Sequence, residues 1–156
     1  MIRPNLMVAS LGVIVFLAVT SASAQEKRLK RSDLPPAVQK TVDELSHGAK
    51  VRGYTSELAA GQLEYEVELI ANGRLRDVTI APDGSVLETE EEVALEALPA
   101  AVRAALRQQA GAGQIVKVES LTRQGRLVAY EAQVRTGTDR SEIQVGPDGK
   151  PLAHPE

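Results

Sequence analysis

Between residues 63 and 69 apolar and charged side chains alternate without an error. Leu63, Tyr65, Val67 and Leu69 fall on one side, and Glu64, Glu66 and Glu68 on the other. A period of two belongs to an extended strand with one face buried and the other wet. Asn72-Gly73 follows, a pair suited to a two-residue hairpin turn because both residues tolerate positive φ. The pattern predicts a returning strand over 75–80 with Val78 and Ile80 inward, then a turn at Pro82-Asp83-Gly84. Val86 and Leu87 suit the start of a short strand. Upstream the period is that of a helix: Val38, Val42 and Leu45 form one apolar stripe. Ser32 or Asp33 can cap that helix, Pro35 or Pro36 suits its first turn, and Gly48 ends it.

The same series then returns. Leu34-Pro35-Pro36-Ala37-Val38 reappears as Leu98-Pro99-Ala100-Ala101-Val102, Tyr65-Glu66-Val67-Glu68-Leu69 as Tyr130-Glu131-Ala132-Gln133-Val134, and Pro82-Asp83-Gly84 as Pro147-Asp148-Gly149. The offset is 64 early and 65 later, so the chain reads as an internal duplication. Pro99 opens a second helix with Val102, Ala105, Leu106 and Gln109 inside, stopped by Gly111 and Gly113. Strands are predicted over 128–135 and 142–145, with Ile143 and Val145 inward, and earlier ones over 50–58 and 114–122. Each unit therefore reads helix–strand–strand–strand, with a fourth short strand as the alternative, and the short turns make the sheet antiparallel. The expected fold class is α+β: two tandem helix–antiparallel-sheet units, helices covering one sheet face and the charged face turned to water. Val38, Val42, Val67, Leu106 and Ile143 are expected to be buried.

Residues 1–24 stand apart. Arg3 precedes an apolar run from Leu6 to Thr20, and Ser21-Ala22-Ser23-Ala24 offers small residues for cleavage, the pattern of a secretory signal peptide. The run is shorter than the roughly 20 residues of a membrane-spanning helix, so no stable span is expected after cleavage. Residues 25–33 are polar and basic and read as a flexible leader; 34–92 and 93–156 are the two repeats. Formal charge is −3, and −4 once Arg3 leaves, which gives no footprint for nucleic acid. The chain has no Cys, so neither disulfides nor thiolate chemistry is available to it. Its one Phe is Phe16, which leaves Tyr54, Tyr65 and Tyr130 as the aromatic content beyond the signal. Tyr65 and Tyr130 occupy matching inward positions and read as core anchors.

Candidate chemistry is sparse. Glu64, Glu66 and Glu68 form an acidic row with a spacing of about 6.5–7 Å. Glu88, Glu90, Glu91 and Glu92 read as a charged linker or as the first turn of the second helix. His47 and His154 have no ligand-spaced partners and read as surface residues, so no metal site is predicted. No nucleophile elbow and no glycine-rich phosphate loop is present, so neither catalytic residues nor a cofactor are predicted.

With its paired Leu-Pro-x-Ala-Val starts, Tyr-Glu strands and Pro-Asp-Gly turns, the chain resembles the PepSY-like family, described as beta-lactamase-inhibitor-like, from Leu34 to about Leu152. The resemblance implies a tandem α/β unit with an open sheet side, and a periplasmic or extracellular binding module with protease or hydrolase inhibition by analogy. The expectation is thus a non-catalytic exported module. Its open face would present Glu64, Glu66, Glu68, Asp77, Thr79, Glu131, Gln133, Arg135, Glu142 and Gln144 to an envelope or extracellular protein. The alternative is a sensor or carrier for a small ligand or cation.

Overall fold

Eight strands form one antiparallel sheet whose spatial order follows the sequence. The structure, a computed structural model, describes residues 26–152. The predicted signal peptide and His154 lie outside the described residues. Strand β1 spans Lys27–Leu29, β2 Ala49–Ala59, β3 Gln62–Ala71, β4 Arg74–Ile80 and β5 Val86–Glu92. Strands β6, β7 and β8 span Gln114–Arg123, Arg126–Thr136 and Asp139–Val145. Helix α1 (Pro36–Leu45) precedes β2, and α2 (Ala100–Ala110) precedes β6.

This architecture corrects the expected fold class of two tandem units with helices covering a sheet. The decisive element is β5, which pairs with β4 on one side and β6 on the other, so the sheet continues across the middle of the chain. Glu88, Glu90, Glu91 and Glu92 are therefore strand residues, neither a linker nor the first turn of a helix. The helices are only ten and eleven residues long. At 1.5 Å per residue each spans roughly 15–17 Å, whereas eight strands at about 4.8 Å spacing extend about 34 Å. Two such helices seat on patches of the sheet and leave the rest of it without a layer.

Each patch has its own cluster. Leu34, Val38 and Val42 pack with Tyr65, Val67, Leu69, Val78 and Ile80. Leu98, Val102 and Leu106 pack with Val118, Ala132 and Val145, with Tyr130 and Ile143 partly buried beside them. Between the clusters, on the same side of the sheet, Arg76 Nη2 donates to Glu91 Oε2 at 3.0 Å and Ser120 Oγ to the Glu91 carbonyl at 3.4 Å. The two Pro-Asp-Gly turns dock on the helix starts. A Cβ at Gly84 would lie 2.9 Å from the Ala37 carbonyl oxygen, and one at Gly149 would lie 2.7 Å from that of Ala101. Both glycines also hold positive φ, 89° and 79°. Glycine in the turn and alanine in the helix thus meet backbone to backbone, which accounts for their recurrence together.

Two local readings also change. Pro35 stands at the start of α1 without a side-chain cap, and Asp33 instead accepts the Lys30 N–H at 2.8 Å, closing the 3-10 turn Arg31–Asp33. Lys27–Leu29, read as part of a flexible leader, pairs with Tyr54–Ser56 of β2 as an edge strand.

Candidate binding face

The ladder places the predicted residues on one side of the sheet, away from both helices. Successive partners on that side run Glu66–Thr79–Glu88 and Glu68–Asp77–Glu90 across β3, β4 and β5. They continue as Glu92–Glu119–Glu131–Gln144 and Lys117–Gln133–Glu142 across β5 to β8. Two rungs therefore set three carboxylates in a row, an arrangement that like-charge repulsion makes unfavourable in a bare sheet. Carboxylate oxygens of Glu66, Glu68 and Asp77 lie within 4.8 Å of one another, as do those of Asp77, Glu90 and Glu119.

The face is not a flat wet surface. Leu121 and Ala129 point to this side by register and are 3% and 0% exposed, and Glu119 is 4% exposed. A cleft of about 640 Å³ is lined by Glu57, Glu64, Thr79, Glu88 and Arg123, residues of five successive strands. On a flat sheet β2 and β6 stand about 19 Å apart, so the sheet curls toward its carboxylates. Register shifts at Val51/Gly53, Thr79/Ile80, Ile115/Lys117 and Leu121/Thr122 supply the bends, since bulges increase local twist.

Burial and crowding then set the charge. Burial, followed by repulsion from Asp77, Glu26 and Glu68, pushes Glu66 up to about 7. Burial, followed by Glu119, Glu131 and Glu88, pushes Glu90 up to about 8. Asp77 is raised by burial and by Glu68, with Lys117 and Arg52 pulling the other way. Glu142 is raised chiefly by Glu131, and Glu64 by burial and Glu57. Lys117 reaches Glu119 at 2.5 Å; burial opposes its charge, but that bond holds its ammonium above the usual lysine range. Asp77 Oδ1 is closed off from solvent and accepts no hydrogen bond.

Of the predicted residues, Glu66, Glu68 and Asp77 come together. Glu131 and Gln144 are joined by a 2.7 Å hydrogen bond from the amide. Glu64 turns instead to the cleft that Glu88 and Arg123 share, where Arg123 Nε donates to Glu88 at 2.5 Å. Arg135 donates to Gln114 at 2.8 Å, outside the cluster. Sequence reasoning missed Glu90, Lys117 and Glu119 as members of this face. The alternation of Glu88, Glu90 and Glu92 was the available signal, masked by Glu91 between them.

No protein-family profile and no curated protein matches the chain. Solved structures do. A BLIP-like protein from Bacteroides fragilis aligns at 20% identity and TM-score 0.58 over 76% of this chain and 83% of its own. A DUF2874 family protein from Bacteroides ovatus aligns at 19% and 0.60 over 76% and 84%. The fold is similar to theirs. A protein described as periplasmic from Bacteroides eggerthii aligns at 19% and 0.62 over 75% and 84%. At these identities the likeness concerns architecture alone. Among the described residues no helix is long and apolar enough to cross a membrane.

Proposed function

We propose that this protein is a non-catalytic binding module, exported to the periplasm or beyond, that recognises a basic surface of an envelope protein with its carboxylate face. The observation that carries the reading is the convergence of Glu66, Glu68, Asp77, Glu90 and Glu119 on one curled side of the sheet. Such a group costs stability in isolation, and a cationic partner offsets that cost by pairing with it. Asp77 Oδ1 has no donor of its own in this group. A PepSY-like, inhibitor-like role on a protease or other hydrolase is the form of recognition we favour, since it needs complementarity and no reactive group. We take 1–24 as a signal peptide, 25–33 as a leader, and 34–92 and 93–156 as two sequence copies that contribute strands to one sheet.

The test is affinity capture from periplasmic extract with the wild type and with Glu66→Lys/Glu68→Lys. The reading expects a partner retained at low salt, released as salt rises, and lost with the reversed charges while the fold persists by circular dichroism. Equal capture by both proteins would refute it. The 4.8 Å convergence also favours a second reading, a cation or small-ligand carrier. A thermal shift with calcium or magnesium alone, of the size that about 2.7 kcal/mol at 100 Kd implies, would select that reading instead.

A further inference from the structure

We propose that the outer edge of β8 pairs with the β8 edge of a second copy of this chain, antiparallel and centred on Ser141. The two edges of the sheet differ. At one, β1 has three residues, two of them basic, which blunts it against pairing. At the other, β8 has seven residues, a ladder to β7 without a register shift, no proline, and exposed residues from Asp139 to Glu142. The turn after β4 and the turn after β8 are built alike, with Ala81 N–H donating to Ser85 and Gly146 N–H to Lys150. After the first, Val86 starts β5 and completes pairing to β4. After the second, the matching position is Pro151, which has no N–H to donate, and among the described residues no strand covers the outer side of β8.

Charge selects the register. A two-fold axis perpendicular to the sheet sets Arg140 opposite Glu142 of the second copy, twice, with Ser141 facing its counterpart on the axis. Moving the centre to Arg140 opposes two arginines, and moving it to Glu142 opposes two glutamates, both unfavourable. The backbone agrees. The two-residue turn Gly137-Thr138 closes on the pair Thr136–Asp139, taken as hydrogen-bonded. Alternation along the ladder then points the N–H and C=O groups of Arg140 and Glu142 away from β7, and these are the groups this register joins. Arg140, Ser141 and Glu142, with Gln133, also line a shallow groove of about 320 Å³ at the centre of the contact. The axis keeps the carboxylate faces of the two copies on one side.

Sedimentation velocity over a concentration series tests this on the purified protein. The wild type is expected to dimerise reversibly. Arg140→Glu alone and Glu142→Arg alone should each weaken the dimer about tenfold or more. An equimolar mixture of the two single variants should regain a dimer, because each supplies the charges the other lacks, and the double swap should dimerise by itself. A misfolded variant cannot give the mixing result. A wild type that stays monomeric, single variants that dimerise as tightly as the wild type, or a mixture that remains monomeric would each overturn the proposal.

Discussion

On β3 and β4, Glu68 stands opposite Asp77 and Glu66 opposite Thr79; on β7 and β8, Gln133 stands opposite Glu142 and Glu131 opposite Gln144. The rungs match in position and differ in chemistry. In the later half an amide faces each carboxylate, and Gln144 donates to Glu131 at 2.7 Å. In the earlier half Glu68 meets Asp77 with no donor between them, and Glu90 extends the row. An amide relieves a carboxylate without adding charge, so the β7–β8 rungs carry less like-charge opposition than the β3–β4 rungs. On the reading proposed above, the binding face lies at β3–β6, where carboxylates crowd most closely.

The largest expected effect tests whether the halves, unlike in charge, are one cooperative body. Ile80 in the first cluster and Leu106 in the second are both 0% exposed. Ile80→Ala and Leu106→Ala should each cost about 2–5 kcal/mol. Because β5 joins the sheet, urea unfolding followed by circular dichroism and tyrosine fluorescence should show one transition in each variant; two separated transitions would break the comparison into two independent units.

A smaller effect sharpens the electrostatic contrast. A carboxylate whose pKa is raised on folding binds its proton more tightly in the native state, so stability falls as pH rises through the window between the two values. For Glu66 and Glu90 that window runs from the ordinary glutamate range to about 7 and about 8. Glu90→Gln should therefore stabilise the protein at pH 8 by about 1–2 kcal/mol, a figure reduced for partial solvent screening, with no gain at pH 4. Urea midpoints at the two pH values check this. Smaller again is Gln144→Glu, which builds into the later half the like-charge opposition of the earlier one. It should cost about 0.2–1 kcal/mol at pH 8 and less in acid, read by the same midpoints.

Much of this was legible in the chain. The alternation from Leu63 to Leu69 marked β3 and its two faces, and the stripes Val38–Val42 and Val102–Leu106 marked the helices, because in each case burial of one side writes a period into the sequence. Of strand β5 only the start at Val86 and Leu87 was legible. Glu88-Thr89-Glu90-Glu91-Glu92 is polar on both faces, and it is extended because β4 and β6 pair with it, which is tertiary information. Strand β1 was hidden for the same reason. The curl of the sheet arises from bulges with no strong local signature, so the burial of Glu119 and the raised state of Glu90 stayed out of reach even though the glutamates themselves were visible.

Carbon-detected NMR titration of the glutamate side-chain carboxyls reaches the central claim most directly. An array of like charges held together on the curled face predicts midpoints of about 7 for Glu66 and about 8 for Glu90. Midpoints for both in the ordinary glutamate range would show that the carboxylates lie apart in water, and the binding face described above would not exist.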